Sequence, residues 1–283
     1  MTAYTNPDGT VVEIVLGEDV SIGEGVRLFD RVSIGDGASI GDGVVIAHDV
    51  QIGKDASIGD GASIGKEASI SGSVWIDKGV SIGAYVKIGE GVLIGDGVSI
   101  GAYVRLDRWV SIGDGARIGV GVRIGEKVWI GKKVEIGADA WIGEMVRMGD
   151  LALIGEGVRI GEGAPVGEGA TIWGHAWIGE YATIGDHVTI DRGLQINVRI
   201  PKNTAVTRGK CWDAGTETRG YHVFGYIDAE GELRIVAGCH NFSLEEAQQH
   251  WGSPDYPGPA IGRDMLRKVA YLRDCFVEKV TTG

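Results

Sequence analysis

An apolar residue recurs every six positions, without a slip, from Leu16 to Ile196, and little else could constrain a fold so tightly. All 31 of those positions hold Ile, Leu, Met148 or Val166. Two residues before each stands Val, Ala, Ile or Leu, from Ile14 and Val20 to Val188 and Leu194. The residue after is Gly in 23 of the 31 units, often followed by Asp-Gly or Glu-Gly. Two apolar side chains one residue apart point to the same face of a strand, and the residue between them points away. Gly and Asp/Glu-Gly then allow a corner that β-branched residues resist. An α-helix cannot satisfy a period of six with Gly at two of the six places. A strand, a corner and another strand, repeated unchanged, predict an all-β coil with its Ile and Val columns inside.

Composition agrees with that reading. Gly numbers 49 of 283 residues and Pro only 6, so the Gly is structural punctuation and not the mark of a disordered or collagen-like chain. The net charge of −12 argues against wholesale binding to nucleic acid or to an anionic membrane surface. No apolar run approaches the ~20 residues that span a bilayer. The polar start, Met1 to Asp8, lacks the basic and apolar regions of a secretory signal. The 3 Cys all lie beyond residue 210 and form no disulfide framework, so a reducing, cytoplasmic setting is expected.

The unit [AV]-x-I-G-[DE]-G resembles that of the hexapeptide-repeat, left-handed parallel β-helix proteins, typified by bacterial acyltransferases. The resemblance spans residues 14–200 and implies left-handed coils of three hexads each, against the usual right-handed crossover. At ~4.8 Å per ladder step, about ten coils make a prism roughly 50 Å long. The expected organisation is an N-terminal lead-in (1–13), the β-helix (14–200) and a C-terminal α+β domain (201–283). Register fails after Ile196, near Pro201 and Asn203. In the tail, Tyr221–Asp228 and Leu233–Cys239 read as strands around the turn at 229–232. Ser243 with Glu246 forms a capping box that opens a short helix to Trp251. Ile261, Met265, Val269, Leu272 and Phe276 mark one face of a second helix. The expected role of this tail is to cover the last coil's open edge. The stretch from Ala237 to Ala247 also resembles tails of uncharacterised hexapeptide proteins of phages and bacteria, which brings no activity with it.

With the interior packed, function must lie outside. Sorting the outward residue of each hexad by thirds gives three columns, one per face. One is unusual: Lys87, Arg105, Arg123, Trp141, Arg159 and Trp177 follow one another on successive coils. Arg159 lies between two indoles, as cation–π contact requires, and Arg and Trp dominate interface hot spots. This stripe is the expected binding surface, for an acidic protein or for the Asp/Glu corners of another subunit. A second column carries Trp75, Leu93 and Trp129, whose exposure suggests a homo-oligomer, with the family resemblance favouring a trimer. Tyr85 and Tyr103 occupy equivalent corners of adjacent coils and can stack. Ser is frequent in the first half, but regular Thr rows are lacking, which speaks against an ice-binding face.

The resemblance to acyltransferases implies a His as general base near a subunit boundary and loops that close over acyl-CoA or acyl-carrier protein. This solenoid has no interrupting loop, and its His residues are His48, His175 and His187, all at corners. His175, between Trp173 and Trp177, is the best base candidate; a corner His is also an ordinary turn residue, and no catalytic residue is assigned. The trimeric hexapeptide carbonic anhydrases need three zinc-binding His on neighbouring coils, which these do not reproduce. In the tail, Cys211, His222, Cys239 and His240 could bind Zn²⁺, but no C-x-x-C pair supports it. No P-loop is present, and neither a metal nor a cofactor is expected. On this balance the sequence favours a non-catalytic structural or binding protein, a rigid self-associating prism. The alternative is a hexapeptide-class acyltransferase with its site between subunits.

Overall fold

The computed structural model describes residues 1–180, 182–190, 195–196, 205–206, 211–217, 222–228, 231–237, 240–254, 256 and 258–282. Three sheets of twelve, eleven and nine strands form the faces of a triangular coil. Successive coils pair in parallel with an offset of eighteen residues, as in Ser63↔Ser81 and Ile64↔Ile82. Each strand contributes two paired residues, one outward and one inward. The ladder is regular: Ser63 donates its N–H to the Val80 carbonyl at 2.8 Å, and Gly65 to that of Ile82 at 2.7 Å. From Val26 to Ile190 the inward columns of Val, Ala and Ile are 0–3% exposed and form one continuous core.

Two corner devices let coils stack this closely. A Cβ on Gly101 would stand 2.8 Å from the carbonyl carbon of Gly119 and from the N of Val120, so this glycine is set by the approach of the next coil. Positive φ belongs instead to the last corner residue of the hexad, such as Gly97 at +63°. The acidic corners are structural as well. Asp42 Oδ1 accepts the Glu24 N–H at 2.7 Å, and Asp60 Oδ1 that of Asp42 at 2.8 Å. The same bond recurs from Lys132 N–H to Asp150 and from Glu168 N–H to Asp186, each carboxylate stitching its coil to the preceding one.

Both ends of the solenoid differ from the sequence reading. The lead-in is a hairpin: Thr2–Thr5 pairs antiparallel with Val11–Leu16. Buried Asn6 anchors it, donating to the Leu28 carbonyl at 2.9 Å and accepting the Leu28 N–H at 2.8 Å. At the far end the ladder outlasts Ile196, because Ala205–Val206 pairs in parallel with Thr189–Ile190. That last step is two residues short of the eighteen-residue coil, so a period of six cannot reveal it. Between them, Ile184 makes only an isolated bridge to Val166. Pro201 and Asn203 lie outside the described residues.

The tail forms a four-stranded antiparallel sheet: Cys211–Thr216, His222–Ile227, Leu233–Ala237 and His240–Ser243. The middle two are the expected strands, although Tyr221 and Cys239 lie outside the described residues; the outer two were not foreseen. Helices α1 (Leu244–Gly252) and α2 (Pro259–Thr282) follow. The capping box is formed: Ser243 Oγ accepts the Glu246 N–H at 3.1 Å, and Glu246 Oε2 the Ser243 N–H at 2.7 Å. One sheet face packs Val223, Ile235 and Ala237 against Trp251, Met265, Val269 and Leu272. Phe224, Tyr226 and Val236 instead join the solenoid core, so the sheet covers the coil's apolar end. Among the described residues, no helix is long and apolar enough to cross a membrane.

Candidate functional site

Strict stacking turns the six-residue stripe into a straight track on the twelve-stranded face. Lys87 pairs with Arg105, Arg105 with Arg123, Arg123 with Trp141, Trp141 with Arg159, and Arg159 with Trp177. The indoles stay accessible, at 47% for Trp141 and 48% for Trp177. Arg105 is committed locally: its Nε donates to Asp107 Oδ1 at 2.8 Å, and that bond holds the guanidinium above its ordinary pKa. Among the described residues, Lys87, Arg123 and Arg159 have no carboxylate within ion-pair distance, whereas Arg31, Arg117 and Lys132 are paired with Asp49, Glu135 and Asp114. No cation–π contact joins Arg159 to its neighbouring indoles. The one formed among the described residues is Lys66 Nζ, 5.4 Å from the ring centre of Tyr85. Tyr85 and Tyr103 do stack, with centres 4.9 Å apart and planes 3° from parallel.

Shallow hollows follow this face. One of about 480 Å³ is lined by Gly121, Arg123, Asp139, Trp141, Arg159 and Trp177. A second, of about 530 Å³, continues past Tyr103, Lys87 and Arg105. Asp139 was not among the sequence candidates. It sits on the edge leading into the twelve-stranded face, in the corner column that runs Tyr85, Tyr103, Gly121, Asp139, Gly157 and His175. Sorting corner residues by coil, as was done for the faces, would have found it.

That same column carries His175. The residue is exposed, with φ of +58°, and its N–H is spent on the Glu156 carbonyl at 2.8 Å. Its imidazole lies over Gly157, where an added methyl would stand 2.5 Å from Nδ1. The ring therefore rests in a slot that glycine leaves open, two residues before Trp177 on the track. His187 rests over Gly169 in the same way, but on the edge between the nine- and eleven-stranded faces, away from the track. His48 shares the edge of His175 seven coils below, edge-on to Phe29 at 4.8 Å. Of the three, only His175 is brought to the stripe.

Cys239 lies outside the described residues, and His240 stacks on Phe242 at 5.0 Å and approaches His250 at 5.1 Å. Burial, and then the charge of His240, push the His250 imidazole below its ordinary pKa. Among the described residues, no group of three or more His, Cys, Asp or Glu is placed to hold a metal.

The bacterial transferase hexapeptide family model matches residues 31–66, 73–108 and 91–126. The structure is similar to UDP-N-acetylglucosamine O-acyltransferase of Moraxella catarrhalis, at TM-score 0.51 and 17% identity, over 68% of this chain and 71% of that one. An acyltransferase structure from Acinetobacter baumannii matches at TM-score 0.38 and 14% identity, over 69% and 71%. No curated protein sequence matches the chain. The match to a transferase family overturns the expectation of a non-catalytic scaffold. That expectation gave too much weight to the unbroken repeat, since a site built from side chains on one face and one edge needs no loop. Repeat, coil and the model match over residues 31–66 and 73–126 bear out the resemblance to the hexapeptide-repeat transferases, and the coil is the left-handed parallel β-helix that this resemblance implies.

Proposed function

We propose that the chain is an acyltransferase of the hexapeptide class, moving an acyl group from acyl-CoA or acyl-carrier protein to an acceptor hydroxyl or amine. The observation that carries this reading is the seat of His175, exposed on the edge of the cationic–aromatic face beside Trp177. In this reading His175 takes the acceptor proton as the oxygen or nitrogen attacks the thioester carbonyl. The C–S bond then breaks, and the imidazolium returns the proton to the leaving thiolate. The N–H groups of Asp139, Gly157 and His175 along this edge are spent on inter-coil bonds, which leaves Arg123 and Arg159 to meet negative charge on either substrate. Trp141 and Trp177 supply apolar walls. The test incubates the protein with acetyl- and long-chain acyl-CoA and acyl-carrier protein against a panel of amino and hydroxyl sugars, reading thiol release. Acceptor-dependent release is expected; none with any donor, and no binding of CoA, would refute the proposal.

Assembly belongs to the same reading, with a homotrimer bringing a neighbour to the site. Trp75, Leu93 and Trp129, at 57%, 52% and 47% exposed, form a row on the nine-stranded face, away from the track. We assign this row to contact between subunits. Sedimentation should give three times the 29.9 kDa chain mass, and Trp75→Ser with Trp129→Ser should shift it toward monomer. A wild-type monomer at micromolar concentration would end the trimer proposal.

A further inference from the structure

We propose that the twelve-stranded face binds an extended acidic polysaccharide, bearing one carboxylate on every second sugar and lying along the solenoid axis. The order Arg123, Trp141, Arg159, Trp177 is fixed by strand register, so cation and indole alternate coil by coil. At ~4.8 Å per ladder step, like residues recur about every 9.6 Å, roughly the length of one disaccharide in an extended glycan. A guanidinium takes a carboxylate through two parallel N–H bonds. An indole offers a broad face to the C–H side of a pyranose ring. Both kinds of group are available, since Arg123 and Arg159 form no ion pair among the described residues and neither stacks on an indole.

The surroundings favour a glycan over other anions. Asp139 lines the same hollow as Arg123 and Trp141, where it can accept hydroxyls of the uncharged sugar between two carboxylates. Glu126 and Glu144 stand along the opposite rim, which confines negative charge to the central column. A nucleic-acid strand, with a phosphate on every unit, would meet those carboxylates and a chain of net charge −12. Lys87 and Arg105 extend the track by two more coils. Because the coil fixes these spacings before contact, little ordering entropy opposes binding.

This inference goes beyond acyl transfer and is read without turnover, so either can fail alone. The full chain is titrated calorimetrically with hyaluronan and heparosan hexasaccharides, beside neutral chitohexaose and a thymidine decanucleotide. At least one acidic glycan should bind, more tightly than chitohexaose or the nucleotide. Trp141→Ser and Arg159→Gln should each weaken it at least tenfold, while Arg117→Gln, on the eleven-stranded face, leaves it unchanged. Ser already stands in this column at Ser33 and Ser69, so Trp141→Ser should melt as wild type. Failure of both acidic glycans, equal binding of chitohexaose or the nucleotide, or a silent Trp141→Ser with an unchanged melt would each overturn the proposal.

Discussion

Ile112→Asp should abolish the cooperative melt of the middle coils or lower its midpoint by many degrees. Ile112 is 2% exposed and stacked between Ile94 and Ile130. Removing such a side chain costs about 2–5 kcal/mol through lost burial and the cavity left behind. A carboxylate has no polar partner there; even protonated, it adds about 1–3 kcal/mol of unmet desolvation. Coils contact only their neighbours, so the damage should be local first: amides of the adjoining ladder, such as Ser111 to Val128 at 2.9 Å, should lose exchange protection before distant ones. Ser99→Asp, outward and exposed, should stay within about 0.5 kcal/mol of wild type. Equal melting temperatures for Ile112→Asp and wild type would mean that the inward register is wrong.

The solenoid was legible because one physical demand, a dry interior, repeats at every sixth residue. Its glycines were legible in number but not in cause. The Gly after each Ile looked like corner flexibility, yet Gly101 is held to glycine by the backbone of the coil above it. The acidic corners were legible as charge but not as structure: Asp42, Asp60, Asp150 and Asp186 each spend an oxygen on neighbouring backbone N–H groups. Ala205–Val206 could not be read, because a shortened step breaks the period while keeping the ladder. The edge strand Cys211–Thr216 offers only Trp212 and Ala214 on its packed side, with Asp213 and Gly215 between and after them, too short an alternation to announce it. The stripe was visible as a column and His175 as a neighbour of Trp177, whereas Asp139 stays hidden until the corner residues too are sorted coil by coil.

If His175 is the general base, His175→Gly should lower kcat for acyl transfer by roughly 10²–10⁴-fold, the usual worth of a positioned base. Glycine is the informative substitution. The position needs φ of +58°, and Gly121 and Gly157 already occupy the same corner column, so the coil should be undisturbed. KM for donor and acceptor should move little, because the lost group acts in the transition state. Removing the ring also empties the slot over Gly157 into which Nδ1 projects, and free imidazole can enter it. Added imidazole should therefore restore a measurable part of kcat to His175→Gly, whereas His187→Gly, whose slot opens on the other edge, should keep wild-type kcat with or without it. Trp141→Ser should behave in the opposite sense, raising KM while sparing kcat. Wild-type kcat in His175→Gly would remove His175 from the chemistry. A deep loss that imidazole fails to rescue, with KM raised as far as in Trp141→Ser, would reduce it to a wall of the binding face.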